Sequence, residues 1–197
     1  TLSEQIKACM RCTLGPIRVE VGGKAVPAWY GHNLDTPELE RPLIAVMCEA
    51  PGAQEEETGL PLVGRAGQLF NKLLHEAGLN RWDLLLMNRV RCRPPANQLK
   101  NHPDAVKACD DWSKAELEFY DPKVVVLMGA TAIEKVFGKG TVGELRGTVR
   151  TTGPDFEWGA RTWVATYHPA GLLRPTGKQN IPLVVADLML AKSLAAA

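Results

Sequence analysis

Four short, unbroken apolar runs, each stopping abruptly at a polar or glycine turn, constrain this chain more than any other feature. Leu43-Ile44-Ala45-Val46-Met47 runs into Glu49-Ala50-Pro51-Gly52, and Leu84-Leu85-Leu86-Met87 stops at Asn88. Val124-Val125-Val126-Leu127-Met128 stops at Gly129, and Thr162-Trp163-Val164-Ala165-Thr166 stops just before His168. Runs of this length without polar alternation suit strands covered on both faces. Helical patterns separate them. Leu69, Leu73 and Ala77 share a face ahead of a stop at Gly78. Asp104 to Glu118 lies between Pro103 and Pro122, Ile133, Val136 and Phe137 line one face, and Ile181 to Ala195 closes the chain. The alternation predicts an α/β fold, a three-layer α/β/α sandwich around a central, mostly parallel four-stranded sheet. In such sheets ligands sit beyond the carboxyl ends of the strands, where Glu49, Asn88 and His168 all fall. One domain over residues 1–197 is expected, with His32 to Glu40 as a surface loop or insertion.

No apolar stretch approaches the roughly eighteen residues of a membrane span, and Thr1-Leu2-Ser3-Glu4-Gln5-Ile6 lacks the layout of a secretory signal, so a cytoplasmic protein is expected; a monomer is expected as well. The net charge of +1 gives no overall attraction to nucleic acid, so any DNA contact must come from a local basic patch. In a reducing compartment five cysteines are better suited to metal ligation, catalysis or burial than to disulfides.

Cys9 and Cys12 form a CxxC, and Cys92 and Cys109 extend it to C-x2-C-x79-C-x16-C, with Cys48 apart. Four sulfurs suit either a zinc site or a [4Fe–4S] cluster, while four core cysteines with a chance CxxC are the plain alternative.

The surroundings of the third cysteine, Asn88-Arg89-Val90-Arg91-Cys92-Arg93-Pro94-Pro95, resemble the family-four uracil-DNA glycosylases. The likeness also takes in Cys9-x-x-Cys12, Glu49-Ala50-Pro51-Gly52, the stretch Gly59 to Leu69 (GLPLVGRAGQL), Cys109, Pro122-Lys123-Val124 and His168-Pro169-Ala170-Gly171-Leu172-Leu173-Arg174. It implies a monofunctional hydrolase that removes uracil from single- or double-stranded DNA, with Cys9, Cys12, Cys92 and Cys109 holding a structural [4Fe–4S] cluster.

That reaction builds negative charge on the departing base. His168 then serves as a fixed donor toward uracil O2. The Asn88 side chain is able to accept from uracil N3–H and donate to O4, a pattern opposite to cytosine's. The resemblance assigns Glu49 and Glu55 to the loop that shapes the pocket and places the attacking water, and Ala50, Gly52 and Leu62 to the uracil pocket. A flipped base leaves a gap in the stack, and Leu172 and Leu173 are the candidate wedge. Arg89, Arg91, Arg93 and Arg174 form the expected basic patch for phosphates. Taken singly, each has a plainer reading: His168 or Leu172–Leu173 as core, Asn88 as a turn residue, Glu55-Glu56-Glu57 as a solvated turn.

Two positions depart from the family pattern. Leu62 stands where the family has a phenylalanine that stacks on uracil, and Cys48 stands where it has glycine. A second hypothesis is therefore a uracil- or damaged-DNA-binding module with lost turnover. A covalent uracil-trapping relative ranks last, because Arg93-Pro94-Pro95-Ala96-Asn97-Gln98 shows no basic insertion ending in histidine.

Overall fold

The structure, a computed structural model, describes residues 1–31 and 41–197; the loop expected at His32 to Glu40 lies outside the described residues. The strands are β1 (Trp29–Tyr30), β2 (Ile44–Cys48), β3 (Leu84–Asn88), β4 (Val124–Met128), β5 (Val149–Thr151) and β6 (Thr162–Thr166). The helices are α1 (Leu2–Lys7), α2 (Leu14–Glu20), α3 (Ala53–Thr58), α4 (Arg65–Glu76), α5 (Pro103–Ala108), α6 (Asp110–Tyr120), α7 (Ala130–Phe137), α8 (Val142–Leu145), α9 (Pro169–Leu172) and α10 (Ile181–Ala196).

The six strands among the described residues form one sheet in the order β1-β3-β2-β4-β6-β5. The four expected strands make its parallel centre, with Ile44 opposite Leu84 and Val124, and Val124 opposite Thr162. The expected count of four is corrected to six, because antiparallel β1 and β5 flank that centre. They are two and three residues long, and β5 is exposed throughout, so neither carries an apolar run.

Side chains alternate between two cores, as a strand's period of two requires. Ile44, Val46 and Cys48 face Phe70, Leu73 and Leu74 of α4 and Val184, Leu188 and Ala191 of α10. Ala45 and Met47 face Leu117 of α6, Ile133 and Val136 of α7, and the Trp158–Trp163 pair. A third apolar cluster, built by Ile6, Leu14, Val90, Cys92, Ala105, Cys109 and Trp112, joins the N-terminal helices to the segment after β3.

The helix expected from Asp104 to Glu118 is interrupted once, at Cys109, which separates α5 from α6. The stop at Gly78 appears as expected: α4 ends at Glu76, and Gly78 turns the chain with φ +66°. Among the described residues no helix is long and apolar enough to cross a membrane.

Candidate active site

Parallel strands deliver their last residues to one edge. Glu49 follows β2, Asn88 ends β3, Gly129 follows β4 and His168 lies two residues past β6. Main-chain bonds continue beyond the strands: Arg89 N donates to Cys48 O at 2.7 Å, Val90 N to Glu49 O at 2.9 Å and Gly129 N to Thr166 O at 3.0 Å. The loops bearing Glu49 and Asn88 are thereby fixed to each other. Together the four strand ends line a cleft of about 860 Å³, which also receives Ala50, Gly52, Leu62 and Arg174.

Two glycines permit the close approaches here. Gly129 has φ +91°, and a Cβ on it would stand 3.1 Å from the Cβ of His168. A Cβ on Gly67 would lie 1.8 Å from the Leu62 carbonyl oxygen, so α4 packs directly under the Leu62 loop.

His168 caps α9, its Nδ1 accepting from the Ala170 backbone N–H at 3.1 Å. An Nδ1 that accepts places the ring proton on Nε2. Burial lowers the His168 pKa, against the opposing pull of Glu49 and Glu55, so the ring is neutral at neutral pH. Asn88 is 3% exposed, and its Nδ2 has no hydrogen-bond partner among the described residues. A buried, unpaired amide facing a cleft is a donor awaiting a ligand's acceptor.

The two carboxylates behave differently. Glu55 accepts from Gly52 N at 3.1 Å, Val63 N at 3.0 Å and Gly64 N at 2.8 Å, so it latches the Pro61–Gly64 loop onto α3. Arg81 completes that latch by donating to Pro61 O at 2.6 Å and Leu62 O at 2.9 Å. Leu62 itself is held at φ +53°, buried, against the cleft. Glu49 instead accepts from the Thr131 hydroxyl at 2.6 Å, at the start of α7. Cys48 is buried at the cleft floor, where desolvation and the negative charges of Glu55 and Glu49 push its thiol far up, so it is no nucleophile at neutral pH.

The Uracil DNA glycosylase superfamily's sequence model matches residues 38–188 of this chain. A type-4 uracil-DNA glycosylase of Thermotoga maritima is 34% identical over 193 residues, covering 98% of this chain and 92% of the relative. A type-4 enzyme of Archaeoglobus fulgidus is 36% identical over 173 residues, covering 86% and 80%. The chain belongs to the uracil DNA glycosylase superfamily. It is also similar to a type-5 uracil-DNA glycosylase of Pyrobaculum aerophilum, at 33% over 195 residues, covering 87% and 78%.

In this superfamily member the expected wedge and basic patch need correction. Leu172 is 1% exposed and packs into the core with α4 and α10, whereas Leu173 is 37% exposed at the cleft rim. Arg89 and Arg91, expected at phosphates, are 3% and 1% exposed. Arg89 pairs with Asp110 and stacks over Trp158, and Arg91 pairs with Glu116. Burial drives these charges to internal partners, which leaves neither at the surface. Arg93 is tied to Asn97 and Glu56. Exposed Arg174 does reach the rim, and so does Arg65, which the sequence reading missed although it stands inside the quoted Gly59–Leu69 motif. Thr131 was missed too, since only folding brings α7 to Glu49.

Cys92 and Cys109 are buried in the third apolar cluster, and Cys9 and Cys12 pack against it. Burial pushes the Cys92 thiol up to about 12; Arg18 opposes this, while Cys109, Cys12 and Cys9 add to it. The Trp112 indole donates to Cys9 Sγ at 3.2 Å, and all four cysteines belong to or pack against the same apolar cluster. Among the described residues no three metal-ligating side chains meet at ligation geometry. In chemistry the donor set nevertheless fits an iron–sulfur centre: four thiols from three distant segments inside an apolar shell.

Proposed function

We propose that the chain hydrolyses the N-glycosidic bond of flipped-out deoxyuridine in DNA, releasing uracil and leaving an abasic site. The observation that carries this reading is the pairing, in one cleft, of an unpartnered buried Asn88 amide with a neutral His168 whose proton lies on Nε2.

Asn88 Nδ2–H donates to uracil O4 and its carbonyl accepts from N3–H. Cytosine presents the opposite pattern and leaves both groups unpaired, a difference of several kcal/mol. As the C1′–N1 bond breaks, its electron pair goes to the base, and His168 Nε2–H stabilises the charge at O2. A fixed neutral donor in a desolvated site suits that task. Water then adds its oxygen to C1′ and becomes the abasic sugar's hydroxyl, and the proton it loses is taken up in the end by the departing uracil anion, so that neutral uracil and a neutral abasic sugar result. Glu49, oriented by Thr131, is the carboxylate assigned to that water, because Glu55 is occupied by three backbone amides. Leu173 fills the vacated stack, and Arg174 and Arg65 hold phosphates at the rim.

Cys9, Cys12, Cys92 and Cys109 would hold a [4Fe–4S] cluster, which when bound supplies a structural crosslink among three segments. Freshly purified protein should contain about four irons per chain; stoichiometric zinc after iron-replete, anaerobic production would overturn this assignment.

The resemblance, which sets aliphatic Leu62 where the family has a stacking aromatic, favours a second reading, a uracil-binding module with lost turnover; Leu62 does line the cleft. Incubation with a single-uracil oligonucleotide followed by alkali separates the two. Strand cleavage is expected, and retention of the oligonucleotide without cleavage would favour the binding module.

A further inference from the structure

The segment from Asn88 to Arg91 turns on a single guanidinium. Arg91 Nη1 donates to the backbone carbonyls of Asn88 at 2.5 Å and Arg89 at 3.0 Å, and to the Ser113 hydroxyl at 3.0 Å. Its Nη2 pairs with Glu116, whose other oxygen accepts from Ala28 N at 2.6 Å. Arg91 and Glu116 are each 1% exposed. A buried ion pair is weak evidence for stability, since apolar residues of similar volume often serve equally well. Here the guanidinium does something such residues would not: it fixes two successive peptide planes, one of which belongs to Asn88. The main chain beyond Asn88 is fixed from the other side by the Arg89 and Val90 amides bonded to Cys48 O and Glu49 O. The Asn88 side chain has no hydrogen bond from its Nδ2 to orient it. Its direction therefore follows from its backbone, whose two peptide units are gripped at their amides by Cys48 O and Glu49 O and at their carbonyls by Arg91.

We infer that Arg91 is the specificity-positioning residue of the pocket: with Glu116 as its anchor on α6, it sets the peptide planes that aim the Asn88 amide at a 4-oxo pyrimidine. This rests on the uracil-glycosylase reading above. Arg91 contacts no substrate and acts only through Asn88.

The test is a double-mutant cycle on the whole chain, pairing Arg91→Met/Glu116→Leu with Asn88→Ala. The apolar double variant removes both charges together, so that neither is left buried and unpaired. The readouts are single-turnover release of uracil and its ratio to release of cytosine. The Arg91/Glu116 variant should lose about tenfold or more in uracil release and narrow the uracil-to-cytosine ratio. Adding Asn88→Ala to it should then cost little, because a misaimed amide has nothing left to lose. Additive losses, or an unchanged uracil-to-cytosine ratio, would overturn the inference and leave Arg91 a packing residue. If the apolar pair does not fold, Arg91→Lys keeps the charge opposite Glu116 while losing the fork that reaches both carbonyls, and the same cycle applies. Should the parent chain release no uracil, the glycosylase reading fails separately. The cycle is then read by calorimetric binding of free uracil, where non-additivity supports the positioning role, and additivity or an absence of uracil binding overturns it.

Discussion

Leu172 and Leu173 are neighbours of identical chemistry, and replacing each by alanine should give opposite results. Leu172 is 1% exposed in the core formed with α4 and α10, so Leu172→Ala removes a buried side chain and leaves a cavity. Such changes cost about 2–5 kcal/mol. At this chain length each kcal/mol shifts the melting temperature by about 2–4 °C, so a fall of about 4–20 °C is expected. Leu173 is 37% exposed, and its truncation should stay within about 0.5 kcal/mol and therefore within about 2 °C. Its cost belongs in the DNA instead. Opening a base stack requires a few kcal/mol, which a wedge offsets by filling the gap. Leu173→Ala should lower uracil release from duplex DNA by about tenfold or more while leaving single-stranded DNA nearly unaffected. Thermal denaturation beside single-turnover excision on both substrates decides the matter. A large melting-temperature loss for Leu173→Ala, or equal excision losses on duplex and single strand, would refute the separation of core from wedge.

Leu62→Phe should lower the KM for uracil-containing DNA, since stacking on an aromatic is worth roughly 1–3 kcal/mol per base and the Arg81 bond to the Leu62 carbonyl does not depend on the side chain. An unchanged KM would place residue 62 out of contact with the base. Because His168 takes up its proton at lower pH folded than unfolded, the unfolded chain binds more protons as pH falls below about 6.5, and stability declines there. His168→Gln should flatten the fall in melting temperature as pH drops below about 6.5; an unaltered slope would show that His168 is not desolvated.

The parallel centre of the sheet was legible because its strands are buried on both faces and therefore read as continuous apolar runs. Convergence of Glu49, Asn88 and His168 followed from where those runs stop. Trp29–Tyr30 and Val149–Thr151 were not legible, since two or three residues at a sheet edge form no pattern. Arg89 and Arg91 read as surface charge because nothing local reveals their partners; Asp110 and Glu116 stand on α6, 21 and 25 residues onward. Glu55 sits in a run of three glutamates that looks solvated, and only the returning Val63–Gly64 loop makes it an internal latch. Among the two leucines, sequence supplied the pair and burial chose between them.

The proposed chemistry depends above all on a neutral His168 that stabilises the uracil anion as it leaves. The most direct measurement is the single-turnover rate of uracil release by His168→Ala, set beside its affinity for the same uncleaved oligonucleotide. The rate should fall by on the order of 10²–10³ while affinity changes much less. A variant that releases uracil at close to the parent rate, or one whose loss lies wholly in affinity, would contradict the assignment.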